Sequence, residues 1–336
     1  MRRMLLACTL FASLAGPAMA DVNLYTTREP GLIQPLLQAF TAASGIKVNT
    51  VFLQAGLAER VAAEGVNSPA DLLMVVDVGT LLDLAAKGLS QPVRSAALEA
   101  AVPAGLRDPD GHWFALSLRA RAILASRDRV PEPPTTYEDL ADPRFRGKLC
   151  IRAGQHPYNT SLFSAMLVKS GEAATTAFLQ GLKANLARRP GGGDREVARD
   201  ILAGICDVGI ANTYYGGLML SGQGGAEQKS WGEAVRIVLP TFRDGAGTHV
   251  NVSGAVVAKH APNRADAVKL LEYLVTPEAQ RAYADGNFEN PVRPGVTVNA
   301  IVTGFGKLTP DTVQLPAIAA NRAAASQLVD RVAFDR

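Results

Sequence analysis

The chain has 336 residues, 48% of them hydrophobic, and a formal net charge of +3 at neutral pH. This length allows two domains with ordinary cores, and so small a charge gives no global field to attract nucleic acid or an anionic membrane. Beyond residue 20, no apolar run approaches the roughly 18 to 20 residues that span a bilayer, so direct membrane insertion is not expected.

The first 20 residues have the pattern of a cleavable export signal. Two arginines precede an apolar stretch that ends in an A-x-A cleavage site. The sequence therefore predicts a signal peptide at residues 1–20, with a mature chain that begins at Asp21 and resides in the periplasm. Cys8 offers an alternative, a lipoprotein cleavage site, but it leaves only a few charged and apolar residues ahead of it.

Predicted strands and helices alternate from the start of the mature chain. Strands are predicted at residues 22–25, 47–52, 71–76 and 113–118, and helices from about residue 32, at 57–64 and at 78–87. Pro35 fits the first helix if it lies in the first turn, where backbone N–H groups have no partner within the helix. This alternation favours α/β layers around a mostly parallel sheet.

A second α/β unit follows a proline-rich segment at residues 130–134. Its helices are predicted near residues 161–169, 172–184 and 194–203. Three glycines precede Asp194, but the Lys-Ser/Thr of a phosphate-binding loop is missing, so we interpret this segment as a loop with Asp194 as a helix cap. A strand at 248–257 and helices at 263–274 and from 276 onward complete a pattern of two α/β lobes.

Two cysteines remain after removal of the signal peptide, Cys150 and Cys206. Both lie in or next to strand-like segments, and exported proteins meet an oxidising compartment. A disulfide between them would tie together the segments that lead to Tyr158 and to the tyrosine pair at 214 and 215. Two buried free thiols are the alternative, and a thiol catalyst is not expected because no paired base is evident.

Two adjacent tyrosines, Tyr214 and Tyr215, follow an apolar run and precede two glycines. Phenolate oxygens are hard anionic ligands that suit a hard trivalent cation such as ferric iron. Because free tyrosine loses its proton only near pH ~10, such a site needs a strong local positive charge, which a bound metal supplies. The simpler interpretation is that both rings cover the end of a strand.

Several segments together carry a resemblance to a known family. They are residues 23–28, 69–73, 76–79, 147–152, 206–215, 251–255 and 259–261, among which Asn212-Thr213-Tyr214-Tyr215 is the most specific. Through them, nearly the whole mature chain resembles the periplasmic ferric-ion-binding proteins of ABC uptake transporters. The resemblance implies an α/β, bilobal periplasmic binding protein fold of type II, with a ligand cleft between two lobes joined by crossing hinge strands.

The resemblance also implies a division of the chain between the lobes. The N-lobe would comprise residues 21–118 plus 247–297, and the C-lobe residues 119–246 plus 298–336.

In such a protein, Tyr214 and Tyr215 would bind iron together with Tyr158, which the sequence places on the loop before a helix. Three phenolates balance the charge of Fe(III) and leave positions for a small synergistic anion such as carbonate, or for water. Arg119 is the first candidate to hold the anion and Arg121 the second, because a planar guanidinium suits an oxyanion. Alternatively, both arginines are solvated or hold a hinge carboxylate such as Asp77.

The chain departs from some relatives on the N-lobe side of the cleft. Where they place a histidine ligand, or a histidine and a tyrosine, this sequence has Glu29 and Pro30. Glu29 is a further candidate ligand, although a carboxylate there equally suits the start of a helix. Tyr25 is a second further candidate ligand, although lining of the cleft is the role we favour for it. Val76 occupies a position where relatives have a carboxylate, and its apolar side chain cannot bind a metal. A site dominated by the C-lobe is expected.

The resemblance implies a monomeric, non-enzymatic receptor that captures Fe(III) and delivers it to an ABC permease. Two alternatives stay open: a receptor of the same fold for a small oxyanion or organic cation, and a ligand sensor that presents its closed form to a membrane receptor. An enzyme is the weakest alternative because no nucleophile with its base, zinc spacing or cofactor motif is evident.

Overall fold

The computed structural model describes residues 21–336, so the predicted signal peptide and Cys8 lie outside the described residues. Within this range, no helix is both long and apolar enough to cross a membrane. The strands are β1 (Val22–Thr26), β2 (Val48–Phe52), β3 (Leu72–Val75), β4 (Ser90–Gln91), β5 (Phe114–Ser126), β6 (Leu149–Cys150), β7 (Val208–Asn212), β8 (Val235–Val238), β9 (Val250–Ala258) and β10 (Asn290–Pro291). The α-helices are α1 (Pro30–Ser44), α2 (Leu57–Glu64), α3 (Val78–Ala86), α4 (Ala96–Ala101), α5 (Pro157–Asn185), α6 (Asp194–Leu202), α7 (Thr213–Ser221), α8 (Ala226–Glu233), α9 (Arg264–Leu274), α10 (Pro277–Asn287), α11 (Ala300–Thr303), α12 (Leu315–Ala320) and α13 (Arg322–Arg331).

The sheet has two parts that share strand β5. In the first part, β1 pairs in parallel with β2 and β3, and β9 runs antiparallel between β3 and β5. In the second part, β5 pairs antiparallel with β7 and β8, and β6 runs parallel to β7. Helices alternate with the strands along the chain, which confirms the predicted α/β class. The prediction of a mostly parallel sheet is wrong, because six of the nine strand pairings among the described residues are antiparallel.

Strand β5 extends well beyond the predicted strand at residues 113–118. Its first half pairs with β9 as far as Ala120, and from Arg121 onward its partner is β7. Two buried arginines, Arg119 and Arg121, interrupt the apolar pattern that signals a buried strand, which is why the sequence pattern stopped short. One continuous strand therefore connects the two parts of the sheet.

The division into lobes stays a prediction, although the change of partners in β5 falls close to the predicted boundary at 118/119. The C-terminal segment contacts both sides: α12 packs against α3, in the predicted N-lobe, and against α5, in the predicted C-lobe. Movement between the lobes would therefore also have to be accommodated at α12.

Two helix boundaries differ from the predictions. Helix α1 begins at Pro30, so Pro35 lies in its second turn rather than its first, on the solvent-exposed face. Helix α5 begins at Pro157, but Gly171 has a non-helical backbone with φ of 76° and ψ of 176°, which separates two helices near the predicted break. A left-handed φ of this kind favours glycine because it has no Cβ.

Cys150 and Cys206 form a disulfide, as predicted, so the alternative of two buried free thiols is wrong. The bond joins the end of β6 to the segment that leads into β7. Both residues lie in a small apolar cluster beneath α6. The bond therefore holds together the strands from which the tyrosine pair emerges.

Replacing both cysteines by alanine is expected to lower the free energy of unfolding by about 2–4 kcal/mol, because the bond closes a loop between residues 56 positions apart. Urea unfolding of the double variant, compared with the wild type with and without reductant, measures the loss. A loss below about 1 kcal/mol would contradict a stabilising role for the bond.

Candidate functional site

Three tyrosines meet where two helices begin. Tyr158 lies in the first turn of α5, and Tyr214 and Tyr215 lie in the first turn of α7, directly after β7. The hydroxyls of Tyr158 and Tyr214 are 3.4 Å apart, and the ring centroids of Tyr214 and Tyr215 are 4.1 Å apart. All three side chains are buried, with 8%, 4% and 7% of their surface exposed.

The structure corrects the predicted position of Tyr158, which lies inside a helix rather than on the loop before one. Pro157 takes the first helical position, where its missing N–H costs nothing, and His156 is the N-cap. Nδ1 of His156 accepts a hydrogen bond from the Tyr158 backbone N–H at 3.2 Å. All three phenols therefore stand near the positive ends of helix dipoles, which stabilise negative charge.

Guanidinium groups surround the phenol rings. Arg119, Arg121 and Arg152 lie over the ring of Tyr158, with Cζ at 5.3, 5.9 and 5.0 Å from its centroid. Arg195 lies over the ring of Tyr215 at 4.8 Å. Such cations favour negative charge on the phenol oxygens that they face.

Burial nevertheless dominates the titration of the tyrosine pair. Burial raises the pKa of Tyr214 well above its ordinary value, and the neighbouring phenols raise it further. Arg119 lowers this pKa, but by less. Burial and Tyr158 likewise raise the pKa of Tyr215. Both phenols are therefore neutral at physiological pH when no metal is bound, and a cation that binds their oxygens must displace the protons.

The two candidate anion-binding arginines have different surroundings. Arg119 donates to Ser253 Oγ at 2.8 Å and lines a cavity of about 60 Å³ beside Tyr158 and Tyr214. Arg121 instead donates to Asp194, Asn212 and Asn159, at 2.6, 3.1 and 2.6 Å, and lines none of the described cavities around the tyrosines. Neither arginine is solvated, and neither holds Asp77.

Asp194 is a buried carboxylate on which the arginines converge. It accepts from Arg121 at 2.6 Å, from Arg152 at 3.3 Å and from the backbone N–H of Asn212 at 2.7 Å. The prediction that Asp194 caps α6 is wrong, because Gly193 is the N-cap and Asp194 the first helical residue. Burial would raise the pKa of this carboxyl, but the two guanidiniums bring it below its ordinary value.

A second buried ion pair forms one wall of the small cavity. Arg28 donates to Glu289 at 2.6 Å, and it shares Ser253 Oγ with Arg119. Ser117 also donates to Glu289. No sequence pattern predicted that Arg28 and Glu289 would meet, because these residues are 261 positions apart and neither lies in a recognisable spacing.

Glu29 and Tyr25, the further candidate ligands, lie in different places. Glu29 lines the small cavity and also an adjoining cleft of about 670 Å³, whose lining includes Tyr158 and Tyr215. The Tyr25 hydroxyl donates to Glu64 at 3.1 Å, and Tyr25 belongs to the main core rather than to the tyrosine cluster. Val76 packs against the tyrosine cluster as an apolar side chain.

Among residues 21–336, no group of three or more His, Cys, Asp or Glu side chains is placed to hold a metal ion. The tyrosine cluster places phenol oxygens, which are hard donors, beside the carboxylates of Glu29 and Glu289 in the wall of the small cavity. A separate, larger cavity of about 840 Å³ lies between α3 and α12 and has none of the tyrosines in its wall.

Several known proteins are similar to this chain over most of its length. Iron uptake protein A1 of Synechocystis is 42% identical over 316 residues, covering 94% of this chain and 87% of that protein. The solved Bordetella ferric binding protein has a TM-score of 0.85 and 56% identity, over 94% of this chain and 100% of its own. A Trichodesmium protein solved in complex with iron and citrate has a TM-score of 0.86 and 38% identity, over 94% and 99%.

These solved relatives have the two-lobed type II architecture, which confirms the predicted fold class. The relatives are named for binding and uptake, so the chain is a binding protein rather than an enzyme, as predicted. The model of one family, bacterial extracellular solute-binding proteins, matches residues 67–303. The chain belongs to the bacterial extracellular solute-binding protein family.

Proposed function

We propose that this protein is a periplasmic receptor that binds Fe(III) through Tyr158, Tyr214 and Tyr215. The convergence of three buried phenols at the first turns of α5 and α7 carries this proposal. Three phenolates neutralise a trivalent cation, and their hard oxygens suit Fe(III) better than the softer Fe(II). The names of the Synechocystis and Bordetella relatives support the same ligand.

A small anion, such as carbonate, is proposed to complete the coordination with help from Arg119. Three phenolates and Fe(III) add no net charge, yet five guanidiniums stand around the tyrosines against three carboxylates. The guanidiniums are those of Arg28, Arg119, Arg121, Arg152 and Arg195, and the carboxylates those of Glu29, Asp194 and Glu289. The surplus of positive charge favours an anion, and the cavity of about 60 Å³ beside Arg119 suits a small one.

Delivery to an ABC permease is proposed from the family, whose members are extracellular solute-binding proteins. The protein would act as a monomer, closing its lobes over the metal. Metal binding can shift the equilibrium towards the closed form only by the difference in metal affinity between the open and closed forms.

The surplus of guanidiniums also favours a second candidate function, a receptor for a small oxyanion without iron. The wider cleft, by contrast, is lined by four carboxylates, those of Glu29, Glu59, Asp77 and Asp83, against the guanidiniums of Arg152 and Arg322, so its charge does not argue against an organic cation. The distinguishing feature is the metal, since an oxyanion receptor has no need of deprotonated phenols.

A titration with ferric citrate, followed by visible absorption, tests the proposal. The mature protein is expected to show a phenolate-to-iron charge-transfer band that saturates near one iron per chain. The band should disappear in Tyr214→Phe/Tyr215→Phe, because both oxygens are lost while the buried rings remain.

Two buried tyrosines away from the site provide matched controls. Tyr25→Phe removes a hydroxyl that binds Glu64, and Tyr283→Phe removes one that has no hydrogen-bond partner among the described residues. Both controls should keep the band. If the folded wild type, iron-free at the start, shows no band on titration, the ferric proposal is refuted in favour of the oxyanion receptor. Loss of the band in Tyr25→Phe would place Tyr25 at the metal.

A further inference from the structure

Glu29 and Arg195 form an ion pair beside the cleft of about 670 Å³, which Glu29 and Tyr215 line. Glu29 Oε2 lies 3.8 Å from Arg195 Nη2, and the two side chains are 53% and 29% exposed. Glu29 immediately precedes α1, in the predicted N-lobe, and Arg195 is the second residue of α6, in the predicted C-lobe. The pair therefore joins the two predicted lobes next to the cleft.

The carboxylate of Glu29 is not engaged in capping its own helix. Glu29 occupies the N-cap position of α1, but its side chain makes no capping hydrogen bond, and its backbone carbonyl accepts from Leu32 N–H. The side-chain oxygen of a preferred N-cap residue, such as Asp or Ser, accepts from a backbone N–H of the first turn. The Glu29 carboxylate makes no such bond and lies near Arg195 instead.

Arg195, by contrast, follows residues that are fixed by hydrogen bonds, and its guanidinium contacts the tyrosine cluster. The preceding residue is Asp194, which is fixed by Arg121 and Arg152, and Glu196 accepts a hydrogen bond from Gly193 N–H at 2.9 Å. The Arg195 guanidinium lies over the ring of Tyr215. Its Nε is buried and has no hydrogen-bond partner among residues 21–336.

We propose that Glu29 and Arg195 are a latch that holds the lobes closed over the metal, and that Glu29 is a positioning residue rather than a metal ligand. The inference rests on the proposed binding of Fe(III). Arg195 links the two events, because the same guanidinium meets Tyr215 on its own lobe and Glu29 on the other. A latch of two partly exposed charges is weak and screened by salt, which suits a receptor that must reopen.

The release of iron to excess citrate, followed by decay of the charge-transfer band, tests the latch. Glu29→Gln is expected to accelerate release about two- to fivefold at low ionic strength, the range expected for a partly exposed pair. The acceleration should fade in 1 M salt, and the wavelength of the band should stay unchanged. In an Arg195→Gln background, Glu29→Gln should have no further effect.

Glu59→Gln is the matched control, because Glu59 lines the same cleft but pairs with Lys87 on its own side, at 3.5 Å. It should release iron at the wild-type rate. Equal acceleration by Glu29→Gln with and without Arg195, or no acceleration in either, would overturn the latch. A shifted band in Glu29→Gln would also overturn it and would make Glu29 a ligand.

A measurement without iron separates this inference from the proposed function. In Glu29→Lys, two cations face each other across the cleft, so small-angle X-ray scattering of the metal-free protein should give a larger radius of gyration than the wild type. An unchanged radius would contradict the latch even if iron binds as proposed. A larger radius in Glu29→Lys, together with a wild type that binds no iron, would support the latch and refute the ferric receptor.

Discussion

The apparent affinity for Fe(III) is expected to fall at least about a hundredfold for each unit by which the pH decreases between 8 and 5. Burial raises the pKa of Tyr214 and of Tyr215 above the ordinary value, so both phenols carry their protons throughout this range in the metal-free protein. Binding as phenolates releases both protons. The association constant then varies with the inverse square of the proton concentration.

Isothermal titration calorimetry in two buffers with different ionisation enthalpies counts the released protons directly. At least about two protons per iron are expected once the protons exchanged by the chelate alone have been subtracted. Tyr25→Phe should leave the count unchanged, since its hydroxyl belongs to the Glu64 contact. Release of fewer than about one proton would show that the tyrosine pair does not bind the metal as phenolates.

Asp194→Asn is expected to lower the free energy of unfolding by about 3–5 kcal/mol, as measured by urea unfolding at neutral pH. The variant keeps nearly the same shape but leaves Arg121 and Arg152 without the carboxylate that neutralises them. Arg121 is 1% exposed, so water cannot replace the lost charge. Removing one partner of a buried ion pair costs far more than removing an exposed one.

The same variant has a predictable dependence on pH. The pKa of Asp194 in the folded protein lies below its ordinary value, near ~3.9 in unfolded chains, so its stabilising effect is present above that pH and lost as the pH falls through the folded value. The difference between the wild type and Asp194→Asn should therefore shrink in acid below about pH 4.

Asp266→Asn provides a surface control, because Asp266 pairs with the exposed Lys269 three residues away on α9. Its effect on the free energy of unfolding should remain below about 1 kcal/mol. An equally small effect for Asp194→Asn would show that Asp194 does not neutralise the arginines in the way its contacts indicate.

The predictions that succeeded rest on local signals. Alternating strands and helices indicated an α/β protein, since each pattern reports how neighbouring residues bury their apolar side chains. The disulfide was predicted from two cysteines in an exported chain. Tyr214 and Tyr215 stand side by side in the sequence, so their proximity needed no knowledge of the fold.

The predictions that failed concern polar groups in the interior. The predicted strand ended at Leu118, well before the end of β5, because the sequence alone does not distinguish a buried arginine from a solvent-exposed one. Asp194 was taken for a helix cap, although it neutralises Arg121, 73 positions away. The partner of a buried charge is set by the crossing of distant segments, which no local spacing records.

Local sequence patterns were enough to predict the α/β class and the disulfide, and a resemblance added three tyrosines that suit a ferric ion. The sharing of the surrounding charges became visible in the folded chain: Arg121 binds Asp194, Arg119 lines the small cavity, and Glu29 pairs with Arg195. The physical reason is that apolar periodicity is a property of neighbouring residues. The pairing of buried and facing charges depends on distances between elements that only the folded chain brings together.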